Sequence, residues 1–265
     1  MTKKIISWIL LISISPAFLA AQEQSTLITD KIAKHESRHF AQQLHFEESP
    51  NYSDYDLLYQ RLEWQVNPEI FYISGAVTSV FKSKTTSLTE IGFDLHAELI
   101  VDSIKQNNQP INFSRDNNKL LIELNQTLSK NDTDSLTLYY QGVPGDSGFG
   151  SFVQSTHIDV PVIWTLSEPY GALDWWPCKQ SLSDKIDSVD IIVTSPEQYR
   201  TASNGILISE TVSEGKRTMH WKHRYPIATY LVAIAVTNYI DYSDFADLED
   251  GRQIEIQNFV YPEYE

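Results

Sequence analysis

The chain has 265 residues, 42% of them hydrophobic, and carries 35 acidic against 20 basic residues for a formal net charge of −15. Such a charge repels phosphate backbones and anionic lipid headgroups, which excludes nucleic acid as a partner. Cys178 is the single cysteine, so no internal disulfide can form and stability must come from the size of the core.

Residues 1–21 read as a secretory signal. Lys3 and Lys4 form its charged start, Ile5 to Phe18 its apolar stretch, and Leu19-Ala20-Ala21 its small-residue cleavage region. The apolar stretch is too short for a stable membrane span, and Pro16 sits near its end. Cleavage near Ala20 or Ala21 would export the chain to the periplasm or beyond, with 18 basic against 35 acidic residues and a net charge of −17.

Residues 22–54 read as a short helical arm. Leu27, Ile28, Ile32, Phe40 and Leu44 recur at roughly helical spacing, and Ser49-Pro50-Asn51 ends the element. From Tyr55 the period becomes two: Leu62, Trp64 and Val66 alternate with Arg61, Glu63 and Gln65, as in a half-buried strand. Further strands are predicted over 73–82, 90–95, 120–124, 136–140, 189–194, 219–222, 231–239 and 254–260. Polar clusters at 105–110, 115–118, 130–134, 203–205 and 249–251 separate them as turns. This spacing, without long helical patterns between the strands, implies an all-β, antiparallel saddle or sandwich over 55–265. The apolar run Tyr230–Tyr239 is expected to be a central strand buried on both faces.

His35-Glu36-Ser37-Arg38-His39 matches the zinc motif H-E-x-x-H, and His45 falls where a metzincin-like protease places its third ligand. Three features make the match a decoy. The position that needs a chain-reversing glycine holds Gln42, a good helix former. On a continuous helix His45 lies roughly 280° around from His35, off the ligand face. Too little mature chain precedes His35 to build a supporting sheet. The other arrangement with this motif takes a glutamate nineteen residues after the second histidine, where this chain has Leu58.

Trp164–Lys185, WTLSEPYGALDWWPCKQSLSDK, concentrates three tryptophans, two prolines and the cysteine in twenty-two residues. Rigid aromatics and prolines around Glu168 read as a fixed wall that presents its carboxylate. Trp175 and Trp176 are expected to contribute to an exposed apolar patch. Cys178, following Pro177 with no histidine nearby in sequence, reads as a small buried apolar residue.

The stretch resembles the signature T-Q-x-E-x-x-x-A-R-x-x-F-P-C-x-D of the zinc aminopeptidases of the aminopeptidase N family. Tyr72-Ile73-Ser74-Gly75, Thr201-Ala202-Ser203-Asn204-Gly205 and Trp221-Lys222-His223 also resemble the amino-terminal domain of that family. The resemblance spans roughly Tyr55 to Glu265. It implies an all-β saddle leaning against a catalytic domain that follows it. It also implies a zinc cofactor in the parent protein and peptide amino termini as substrate. On this resemblance Glu168 anchors the substrate's free α-amine, and Leu166 stands near the pocket for the first side chain. The chain departs from the signature in having Leu166 for the glutamine, Leu173 for the arginine and Gln180 for the final aspartate. Removal of that arginine and aspartate together is what loss of one structural ion pair would leave, and equally what a member drifting from activity would show. The family's G-x-M-E-N motif and a later H-E-x-x-H are absent, so this chain alone is expected to bind no zinc and to hydrolyse nothing. The reading is thus the amino-terminal, substrate-anchoring domain of an exported zinc aminopeptidase. A non-catalytic β-sandwich binding module and a small protease using His35, His39 and His45 stand as alternatives.

Overall fold

The computed structural model describes residues 51–146 and 150–264. The signal segment, the arm as far as Pro50, and His35, Glu36, His39 and His45 lie outside the described residues. Within them the chain is all-β, as the alternation predicts, and helical structure is limited to single 3-10 turns such as Tyr52–Asp54 and Ala172–Asp174.

The largest sheet has eight strands, numbered in chain order along the molecule. From one edge to the other they run β13 (Ile206–Ser213), β14 (Lys216–His223), β11 (Ser188–Pro196), β1 (Tyr55–Asn67), β2 (Ile70–Ser83), β8 (Thr133–Gly142), β4 (Ile100–Gln106) and β5 (Gln109–Pro110). A three-stranded sheet runs β3 (Leu88–Asp94), β7 (Lys119–Leu128), β6 (Phe113–Asp116). A four-stranded sheet runs β12 (Arg200–Ser203), β15 (Ile234–Thr237), β10 (Val160–Thr165), β9 (Phe152–His157). A separate hairpin joins β16 (Ile240–Asp247) to β17 (Gln253–Val260). Among the described residues the expectation of an antiparallel domain holds for every strand pairing but one: β1 and β11 run parallel.

The strand β1 shows how the sequence builds this core. Leu62, Trp64 and Val66 are buried, as their alternation requires, but so are Tyr55 and Leu57, which belong to the other parity. A bulge between Leu57 and Tyr59 inserts one residue opposite β2 and puts both sets on the same face. Phe93 and Ile122 of the three-stranded sheet, and Phe152, Ile163 and Val236 of the four-stranded one, join this core. Gly75 of β2 has its place because a Cβ there would strike the Glu63 carbonyl and the Trp64 ring. Strand β11 is covered on both faces, with Val189 through Val193 all buried.

The run Tyr230–Tyr239 is less regular than its apolar composition predicts. Thr229–Leu231 form a 3-10 turn with Leu231 exposed, and only Ile234–Thr237 are strand. The cause is Asn204. Its side-chain amide donates to the Leu231 carbonyl at 3.0 Å, and its Oδ1 accepts from Ala233 N–H at 2.7 Å. These backbone groups are satisfied without a ladder, so the strand begins late. Gly205 then turns the chain at φ 94°. Among the described residues no helix is long and apolar enough to cross a membrane.

Candidate functional site

Between β10 and β11 the chain makes one long excursion, residues 166–187, tied down at successive points. Leu166 N–H donates to the Ser151 carbonyl at 3.3 Å. Glu168–Pro169 is a cis peptide. Gly171 N–H closes a turn onto the Ser167 carbonyl at 2.8 Å, and a Cβ at Gly171 would collide with the Ser151 hydroxyl. The 3-10 turn Ala172–Asp174 follows. Leu173 offers its carbonyl to His96 N–H at 2.8 Å, and Asp174 offers its own to Gly145 N–H at 2.7 Å.

Trp175 and Trp176 correct the sequence reading. Both are 0% exposed, so the aromatic run is a buried anchor and forms no surface patch. The Trp175 ring lies 4.6 Å from that of Trp64 on β1, centroid to centroid, and its indole N–H donates to the Ser167 hydroxyl at 2.9 Å. Its carbonyl accepts from Tyr140 O–H of β8 at 2.7 Å. Large aromatic rings gain most by full burial, which outweighs the local polarity of the loop around them.

Beyond them Cys178 exchanges two backbone hydrogen bonds with Asp94, at 2.8 and 2.9 Å. Its side chain is fully buried, as expected, and burial, then Asp94 and Asp174, pushes the thiol well above its ordinary value. A thiol held protonated is neither nucleophile nor ligand. Gln180 is buried with neither side-chain polar atom paired. Leu173 is half-buried against the core. Of the three departures from the signature, these two thus sit in apolar or sealed surroundings, whereas Leu166 is exposed.

Two acids in this stretch, Asp174 and Asp184, escaped the sequence reading, and both are buried. Asp174 accepts from the Ser151 hydroxyl at 2.6 Å. Asp184 pairs with Lys179, whose ammonium also donates to the Tyr55 carbonyl at 2.8 Å and lies 4.1 Å over the Tyr55 ring. Their five-residue spacing in an irregular loop matches no helix or strand periodicity, which is why no pattern betrays the pair.

Against this buried frame two side chains stand out at the start of the excursion. Glu168 is exposed, and Leu166 is 38% exposed, while Ser167 between them is buried. The structure therefore brings both predicted site residues to one exposed tip over a fixed base. An exposed carboxylate above such a base can accept a charge-assisted hydrogen bond from a compact cation. No three His, Cys, Asp or Glu side chains among the described residues converge to hold a metal ion, so the described donor set does not fit a zinc site.

Comparison with known proteins agrees with this architecture. Residues 31–231 match the family model of the Peptidase M1 N-terminal domain. No curated protein matches the chain. Among solved structures, an M1 zinc metallopeptidase from Deinococcus radiodurans is similar at TM-score 0.69 and 24% identity, over 78% of this chain and 47% of that one. A form of that metallopeptidase bound to a Tyr-Ser-Ala substrate is similar at TM-score 0.68 and 23% identity, over 77% and 47%. Leukotriene A4 hydrolase from Saccharomyces cerevisiae is similar at TM-score 0.60 and 21% identity, over 76% and 33%. The chain thus spans about half the length, or less, of the solved structures it matches.

Proposed function

Because the chain belongs to the Peptidase M1 N-terminal domain family, whose solved relatives are zinc metallopeptidases, we propose that it is the substrate-anchoring β domain of an exported zinc aminopeptidase. In this reading Glu168 receives the α-ammonium of a peptide's first residue, and Leu166 borders the space for its side chain. The observation that carries the reading is the exposed Glu168 carboxylate on a loop whose buried residues, Ser167, Asp174 and Trp175, are hydrogen-bonded. An ammonium is a strong donor, and a carboxylate launched from a tied-down backbone meets it at less ordering cost than one on a free loop. This contact would let the enzyme measure from the end of a peptide. The peptide bound by the Deinococcus radiodurans relative supports the substrate class.

The zinc belongs, in this proposal, to a catalytic domain that follows the β domain, and this chain alone is inactive. Export rests on the signal-like residues 1–21 and is tested by sequencing the amino terminus of the secreted protein. The decisive test compares residues 22–265 alone with the same chain joined to its catalytic domain. The joined protein should cleave aminoacyl reporters and hold zinc; the β domain alone should do neither. About one tightly held zinc in residues 22–265, lost in His39→Ala, would instead favour the H-E-x-x-H of the arm as a site.

A further inference from the structure

We infer that Trp175 is a positioning residue for Glu168, acting through the Ser167 hydroxyl; this rests on the reading of Glu168 as the amine anchor. The geometry is that of a clamp on the residue immediately before the carboxylate. Ser167 is buried, and two of its polar groups are engaged. Its Oγ accepts from Trp175 Nε1–H at 2.9 Å, and its carbonyl accepts from Gly171 N–H at 2.8 Å. With the side chain and the carbonyl both held, the direction in which the backbone launches Glu168 is fixed.

The clamp is itself anchored to the body of the fold. The Trp175 ring lies against Trp64 at 4.6 Å and Phe152 at 6.2 Å between centroids, and its carbonyl is held by Tyr140. The flank is tied to the same segment: Leu166 N–H reaches the Ser151 carbonyl, and the Ser151 hydroxyl reaches Asp174, next to Trp175. The polar edge of a buried indole thus transmits the rigidity of β1 and β8 to one exposed carboxylate. The family signature places no requirement on this position, so the role belongs to this chain's own residues. Phenylalanine would keep most of the ring packing and lose the donor. Alanine at Ser167 would remove the acceptor from the other side.

The test uses the β domain joined to its catalytic domain and reads the competitive inhibition constants of an amino-acid amide and of its des-amino analogue. Trp175→Phe and Ser167→Ala should each weaken the amide about three- to tenfold, the scale of one neutral hydrogen bond, and leave the analogue unchanged. Added to Glu168→Ala, neither should weaken the amide further, because the group they position is gone. Equal weakening of amide and analogue, or effects that multiply with Glu168→Ala, overturns the inference and leaves Trp175 a packing residue. If Trp175→Phe does not fold, Ser167→Ala carries the same test. An amide advantage that survives Glu168→Ala sinks the anchor reading and this inference with it. An advantage lost in Glu168→Ala but intact in both clamp variants sinks the inference alone.

Discussion

The ammonium of Lys179 and the carboxylate of Asp184 form an ion pair whose side chains are only 1% and 8% exposed. Burial, the largest cause for each, lowers the lysine against the pull of Asp184 and raises the aspartate against that of Lys179. Removing one partner strands a charge in the core, which costs about 3–5 kcal/mol. Lys179→Met should therefore lower the denaturant midpoint sharply. The double variant Lys179→Met, Asp184→Leu should recover most of the loss. A double variant no more stable than the single one would show that the pair holds the loop by attraction.

Gln180 stands where the family signature has aspartate, and its buried amide has no partner on either atom. An unpaired buried polar group costs about 1–3 kcal/mol. Gln180→Met keeps the volume and removes the orphaned groups, so thermal unfolding should shift up by roughly 2–4 °C per kcal/mol gained. A fall in Tm would mean the amide is satisfied in solution.

On the large sheet Tyr59 donates to Asp190 at 2.5 Å, and His220 and Arg224 also contact that carboxylate. Burial, then the hydrogen bond and charge of Asp190, raise the Tyr59 phenol to about 12. A raised phenol contributes stability that is present below its unfolded value of about 10 and lost as pH climbs through about 12. Asp190 has the opposite sign. Burial raises it, but Tyr59, His220 and Arg224 together hold it below the ordinary carboxylate range. Its contribution is present above the unfolded value of about 3.9 and fades as pH falls through the lower folded one. In Asp190→Asn the Tyr59 ring-carbon titration, followed by NMR, should move down from about 12. An unchanged titration would leave burial as the whole cause.

How much of this was legible depends on the range of the interaction. The strand over Leu62, Trp64 and Val66 follows from alternation, and the positive φ of Asn107, Asn117, Asn131, Gly205 and Gly251 falls within the predicted turn clusters. The bulge at Leu58 has no local signal, since it shows only in the register against β2. Strand β16 escapes because most of its residues are exposed and no apolar face marks it. Composition misled at Tyr230–Leu231, where the Asn204 side chain, more than twenty residues earlier, decides the backbone path.

At the site, the signature picked out Glu168 and Leu166, and the structure sets both at one exposed tip. It could not show that Trp175 and Trp176 face inward, because that is settled by Trp64, Phe152 and Tyr140 on other strands. The pairing of Lys179 with Asp184 was hidden for the same reason: the Tyr55 carbonyl and ring that complete its cage come from the far end of the chain.

The central claim is that the Glu168 carboxylate holds the substrate's ammonium. The most direct measurement is kcat/KM of wild type and Glu168→Ala, in the protein with its catalytic domain, on a free peptide and on its amino-acetylated form. Loss of a charge-assisted hydrogen bond worth about 1.5–3 kcal/mol predicts a ten- to a hundred-fold fall on the free peptide. Zinc content should be unchanged and the penalty for acetylation smaller. A kcat/KM within about two-fold of wild type, with acetylated peptide still poor, would place the amine elsewhere and contradict the account.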